Sequence, residues 1–124
     1  MEITDLIQSA LEGITSQNKV LDVNYVANPR QSTDRSDPYI TYLDITENPA
    51  FHANDDEMAR VFYFDVDIYT TKPYLIPSLK REIEKRMKSI GFMTLPHAST
   101  SYDDQNKVSH KPLSFRIEKL KEEM

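Results

Sequence analysis

Cysteine is absent from this chain of 124 residues, and glycine occurs only twice. The lack of cysteine excludes disulfide bonds, thiolate catalysis, zinc ribbons and iron–sulfur clusters. Two glycines are too few for a glycine-rich loop that binds nucleotide phosphates. Long apolar runs are also missing, since no segment reaches the roughly 18 residues of a membrane-spanning helix. These absences favour a protein that acts without a cofactor and without a membrane.

Basic residues are in the minority: lysine and arginine number 15, aspartate and glutamate number 20, and the net charge is −5. This balance disfavours binding to a nucleic-acid backbone as the main activity. The charges are also separated along the chain. Residues 34–67 contain nine acids and two bases, whereas residues 72–90 contain six bases and two acids. The separation predicts an acidic and a basic surface, which are either two solvated faces or the halves of a head-to-tail subunit contact.

The spacing of apolar residues predicts two amphipathic helices. The first covers Ile3–Gln17, and the second begins within Tyr74–Pro77, where prolines suit a helix entrance. Gly91 is expected to end the second helix in a left-handed conformation, with Phe92 folding back on the last turn.

Alternating patterns predict five strands, at residues 19–26, 39–47, 57–70, 92–99 and 108–120. Polar connections at residues 27–38 and 48–56 are expected to be mobile loops. The order α-β-β-β-α-β-β predicts one α+β domain over residues 1–124. Its sheet is expected to be mostly antiparallel, with four to five strands and both helices packed on one face.

The run VFYFDVDIYTT, residues 61–71, places two aspartates in an aromatic strand. Side chains alternate between the two faces of a strand. The residues predicted to face the core are Phe62, Phe64, Val66 and Ile68. Those predicted to face away from it are Val61, Tyr63, Asp65, Asp67 and Tyr69. On this interpretation the aspartates lie on an open face and need no buried partner.

Asp65 and Asp67 would project from the same face about 7 Å apart. Such carboxylates could serve a small metal-dependent hydrolase or nuclease, with Asp44 as a further member. The rest of such a site is missing from the sequence, because the three histidines are scattered singly and lack metal-ligand spacing. No catalytic residue or metal ligand is therefore predicted.

Tyrosines indicate a binding surface instead. Tyr42 and Asp44 on one strand are expected to join Tyr63, Asp65, Asp67 and Tyr69 on the next, which gives one sheet face that mixes tyrosine with aspartate. A half-polar aromatic face is typical of a protein interface, although a solvated sheet face has the same composition. A bacterial adaptor module with an acidic binding face is thus a further alternative.

Three stretches carry a resemblance to a known group of proteins: DPYITYLDITENP, then DDEMARVFYFDVDIYTT, then a basic helix that ends in KSIGF. Over about residues 37–120 this pattern resembles the tail-completion proteins of long-tailed phages and prophages, which are tail terminators or head–tail joining proteins. The resemblance implies an α+β structural protein without enzymatic activity that forms a hexameric ring. The ring would cap the tail tube and join it to the head connector, with DNA passing through unread.

The resemblance also implies partners and a location. The partners are further copies of the chain, the tail tube protein and the head connector protein, and the protein would be assembled in the bacterial cytoplasm into the virion. An acidic lumen would let DNA slide, since like charges repel. The residues predicted for the subunit interface or the lumen are Tyr42, Asp44, Tyr63, Asp65, Asp67, Tyr69, Lys80, Arg81, Lys85 and Lys88.

Overall fold

The computed structural model describes residues 2–25, 36–53 and 56–120, with the backbone alone for residues 46–53 and 56–58. Two helices, a short 3-10 turn (Pro73–Leu75) and eight strands are found within these ranges. The helices are α1 (Ile3–Leu11) and α2 (Ile76–Ser89). The strands are β1 (Thr15–Ser16), β2 (Lys19–Val20), β3 (Asp22–Tyr25), β4 (Tyr39–Ala53), β5 (Asp56–Thr70), β6 (Met93–Thr94), β7 (Ser101–Asp103) and β8 (Val108–Leu120).

The main sheet has the strand order β3-β4-β5-β8-β6, and β7 also pairs with β8. Strand β3 runs parallel to β4, and all other pairs in this sheet are antiparallel. The predicted α+β class is therefore confirmed. Six strands join this sheet within the described residues, compared with the four to five that were predicted. The segment predicted as one strand at 92–99 contains only the short β6, and β7 is an additional strand after it.

The core lies between the two helices and one face of the sheet. Apolar residues of α1, such as Ile7 and Leu11, and of α2, such as Ile83 and Met87, belong to the same buried cluster as the sheet residues. In the sheet, Val66 lies opposite Leu113, as Phe64 lies opposite Phe115. Phe62, Phe64, Val66 and Ile68 therefore face the core as predicted, with Phe62 partly buried at its margin. Both helices cover this face, here called the helical face.

Helix α1 ends at Leu11 and not at the predicted Gln17. Gly13 follows in a left-handed conformation with a φ of 86°, which breaks the helical path. Ile14 is nevertheless buried, so its apolar spacing correctly indicated the core but not the helix. Gln17 and Asn18, both with positive φ, then form the two-residue turn between β1 and β2.

Gly91 follows the end of helix α2 in the predicted left-handed conformation, with a φ of 99°. The Gly91 N–H donates to the Lys88 carbonyl and the Phe92 N–H to the Met87 carbonyl, both at 3.0 Å. This pair of bonds is the Schellman motif. Phe92 is buried and meets Phe64 edge to face, with ring centroids 5.9 Å apart. The motif thus reverses the chain after α2, so that the next residues form β6 and pair with β8.

The hairpin of β4 and β5 is longer than predicted. Backbone pairing continues to Ala53 and resumes at Asp56, so most of the expected loop at 48–56 is strand, and residues 54–55 lie outside the described residues. Of the expected loop at 27–38, residues 27–35 lie outside the described residues. Its described end is held in place: the Ser36 N–H donates to Asp22 at 2.7 Å, and Asp37 accepts bonds from Thr70 and Thr71.

Candidate functional site

The face of the sheet turned away from the helices is here called the distal face. It is defined by Tyr39, Asp65, Asp67, Tyr69 and His110, which alternate with the core residues of β4, β5 and β8. Tyr69 stacks on His110 with ring centroids 4.4 Å apart and on Tyr39 at 4.9 Å. One row of three aromatic rings therefore crosses three neighbouring strands, which fixes the side chains around it.

Asp67 is the most constrained acid on the distal face. Only 4% of the residue is exposed, and its Oδ1 lies 2.9 Å from Nε2 of His110. The His110 side chain is 32% exposed, so the imidazole covers the carboxylate from the solvent side. The prediction that Asp67 lies on an open face without a partner is wrong, because this part of the distal face is buried. A buried carboxylate requires a hydrogen-bonding or charged partner, and His110 fills that role.

Asp65 lies one row further along the same face and is half-buried. Its Oδ1 accepts a hydrogen bond from the Ser114 hydroxyl at 3.0 Å. Burial raises the pKa of the Asp65 carboxyl above its ordinary value, and the neighbouring charge of Asp67 adds to this rise. The Ser114 bond opposes the rise without cancelling it. The ionised form of Asp65 is thus disfavoured in the folded chain.

The Asp65→Asn variant should be more stable than the wild type at pH 7, by about 0.5 kcal/mol because solvent screens a half-exposed group. The raised pKa means that Asp65 destabilises the fold as the pH rises, and this cost is absent below the unfolded pKa of about 3.9. Chemical denaturation at pH 7 and at pH 3 measures the difference. The gain should be present at pH 7 and absent at pH 3. Asp104→Asn, in the exposed turn before β8, is the matched control.

Tyr42 and Asp44 do not share the distal face, so the predicted surface of tyrosine and aspartate was wrong in this part. Tyr42 lies opposite Val66, and Asp44 lies opposite Phe64, which puts both on the helical face. Tyr42 is buried, and its hydroxyl lies 2.8 Å from Oε1 of Gln8 on α1. Asp44 accepts a hydrogen bond from the Tyr25 hydroxyl, and this bond is the main reason why the pKa of Tyr25 is raised.

The remaining predicted residues divide between the two sides of the molecule. Tyr63 is half-buried on the distal face, opposite Arg116 of β8. Lys80, Arg81, Lys85 and Lys88 are on α2, where Lys80 is partly buried and the other three are exposed. Asp65 and Asp67 are therefore separated from the bases of α2 by the core and do not form one site with them.

His97 is a residue that the sequence did not single out. The Ser114 N–H donates to its Nδ1 at 2.8 Å, so Nε2 carries the proton and donates to Glu84 of α2 at 3.0 Å. Pro112 lies two residues before Ser114 on β8 and, as a proline, has no backbone N–H to donate on that edge of the strand. The segment between β6 and β7 forms no strand that could pair with this edge. His97 thus replaces a backbone partner and ties α2 to β8. No local pattern marks such a role.

Within the described residues, no group of three or more histidine and acidic side chains could hold a metal ion. Both distal carboxylates already accept hydrogen bonds from neighbouring side chains.

No helix in the described ranges is long and apolar enough to cross a membrane.

No protein-family model matches the chain, and no curated protein matches it at a significant level.

Proposed function

We propose that the protein is a non-enzymatic tail-completion protein of a long-tailed phage or prophage. In this role it forms a ring of identical subunits, a hexamer, at the end of the tail tube. The ring ends tail growth and joins the tube to the head connector, while DNA passes through its centre. The protein is assembled in the bacterial cytoplasm and becomes part of the virion.

The order and length of the secondary-structure elements carry this proposal. The resemblance in residues 37–120 implies a strand, a long hairpin, an aromatic strand, a basic helix closed by glycine, and final strands. The same order is present in the fold: β4 and β5 form a hairpin with 15 residues in each strand, α2 follows, and β8 completes the sheet. A body with a projecting hairpin offers separate surfaces for neighbours in a ring and for the tube.

The contacts of the two aspartates favour this function over the hydrolase alternative. Asp67 is buried beneath His110, and Asp65 is bonded to Ser114. One oxygen of each aspartate is thereby engaged, which leaves a hydrolase only the second oxygen of each for substrate or metal. Asp67 is also buried within its own subunit, so it could not line the DNA channel of a ring. The acids of an acidic lumen would have to be other residues of the chain.

Deletion of the gene from the phage or prophage that encodes it tests the proposal. The expected result is that induced cells contain DNA-filled heads and separate tails of abnormal length, because growth of the tube is not ended and joining fails. Electron microscopy of the lysate and counting of infectious particles measure both effects. Supplying the wild-type gene from a plasmid should restore joined particles of normal length.

A complementing Asp65→Asn gene separates the structural function from catalysis. This substitution keeps the oxygen that accepts the Ser114 bond but removes the carboxylate, so a structural protein should complement as well as wild type. A hydrolase or nuclease that uses Asp65 should fail. Normal joined tails in the deletion strain without any complementing gene would show that the proposed function is wrong.

A further inference from the structure

Helix α1 has an acidic outer stripe. Glu2, Asp5 and Glu12 are all exposed: Asp5 lies in the first turn of α1, and Glu2 and Glu12 are the residues that flank its two ends. No basic residue occurs between Glu2 and Glu12. The field of this stripe reaches into the core: the pKa of Tyr42 is raised by burial first, and then by the charges of Asp5 and Glu12. These three residues are here called the acidic stripe.

Helix α2 has the opposite stripe on its own outer side. Arg81, Lys85 and Lys88 are exposed, and their spacing of four and three residues places them in one line. They are here called the basic stripe. Within the described residues, no ion pair joins a member of the basic stripe to a member of the acidic stripe. Three charges of each sign are therefore available to another molecule.

Arg86 fixes the two helices beside each other. Its guanidinium donates to the carbonyl oxygens of Ala10 and Glu12 at 3.2 and 2.9 Å, where the last carbonyls of α1 have no helical partner. Glu82, one turn away on α2, accepts a 3.5 Å contact from the same side chain. The Arg86 side chain thus holds α1 and α2, and with them the two stripes, side by side in one layer.

We propose that the helical layer is a docking surface for a second copy of this chain, with the acidic stripe of one copy against the basic stripe of the next. The numbers of charges match, so the contact is neutral although the chain as a whole is acidic. A nucleic acid fits this surface poorly, because the acidic stripe lies beside the basic one and repels phosphates. The contact repeats from subunit to subunit when each stripe meets a different neighbour, which is the heterologous arrangement that a ring requires.

This contact would supply the subunit interface of the ring, and it rests on the proposed function for its biological setting. It replaces the earlier expectation that the sheet aspartates provide the acidic half. Exposed ion pairs contribute little individually, so several must act together, and the association should weaken as salt is added.

Charge reversal on each helix tests the contact. One variant carries Asp5→Lys and Glu12→Lys, and the other carries Lys85→Glu and Lys88→Glu. Sedimentation velocity at 50 and 500 mM salt measures self-association of the full chain. Each variant alone should associate at least about tenfold more weakly than the wild type at low salt, since like charges now meet. An equal mixture of the two variants should regain association, because each supplies the charge that the other lacks.

The control reverses two exposed charges elsewhere, with Lys19→Glu on β2 and Asp104→Lys before β8, and should associate like the wild type. A wild type that stays monomeric at low salt, variants that associate like the wild type, or a mixture that fails to recover would each overturn the proposal. The gene deletion described above is independent of this result. Unjoined tails in the deletion strain together with unaffected self-association would reject this interface and leave the tail-completion function standing.

Discussion

Replacing Phe115 by alanine should lower the free energy of unfolding by about 3–5 kcal/mol. Phe115 is completely buried in the middle of β8, opposite Phe64 of β5 on one side and Thr94 of β6 on the other. Its ring also lies beside His97, with centroids 5.7 Å apart. Alanine would leave a cavity at the point where the sheet, the edge strand and the His97 link to α2 meet. Urea or guanidinium denaturation measures the loss.

Two further variants give this prediction a scale. Phe115→Leu keeps most of the apolar volume and should cost about half as much or less, because the neighbours need to move less. Tyr102→Ala removes an aromatic side chain that is largely exposed on β7, and should change the stability by no more than about 0.5 kcal/mol. A loss below about 1 kcal/mol for Phe115→Ala would mean that the core does not depend on this strand.

Strand β8 shows which features the sequence could predict. Its bounds at 108–120 and the alternation of Leu113, Phe115 and Ile117 were predicted correctly, because alternation is a local signal of a half-buried strand. The end of α2 at Gly91 was predicted for a similar reason, since glycine is the residue that favours a left-handed stop. In both cases a few neighbouring residues contain the whole of the physical cause.

The errors concern pairings between distant residues. Both parities of β4 mix tyrosine with apolar side chains, so the sequence could not decide which one joins the core residues of β5. Because Ile40 pairs with Ile68, the even-numbered side chains at the start of β4 face the core, and Tyr42 lies on the side of α1. The parallel pairing of β3 with β4 and the hydrogen bond between His110 and Asp67 depend in the same way on contacts 17 or more residues apart along the chain.

The acidic stripe of α1 could have been found from the sequence. Its three acids are visible there, but the segment at 34–67 contains more acids, and part of the charge of that segment is buried in the sheet. The number of acids in a segment does not show which of them reach the surface. Exposure depends on register, and Asp67 is buried because the row beside it is covered by aromatic rings.

Replacing His110 by alanine should lower the free energy of unfolding by about 2–4 kcal/mol, although a third of the His110 side chain is exposed. The loss has two causes. The carboxylate of Asp67 would lose its hydrogen-bond partner, and Tyr69 would lose a stacked ring. The His110→Phe variant separates the two causes, since it keeps a ring for stacking but removes the nitrogen. It should recover only the smaller, stacking part of the loss.

A double-mutant cycle with Asp67→Leu identifies the role of the pair. Asp67→Leu alone should cost less than His110→Ala, because the imidazole left behind is already a third exposed and can bond to water. The double variant should be more stable than His110→Ala, since the unpartnered buried charge is gone. This ordering is expected if Asp67 and His110 stabilise the sheet beneath a structural surface. If removing either side chain instead stabilises the fold, the pair is kept at a cost to stability, as catalytic groups often are, and the hydrolase alternative becomes the better interpretation.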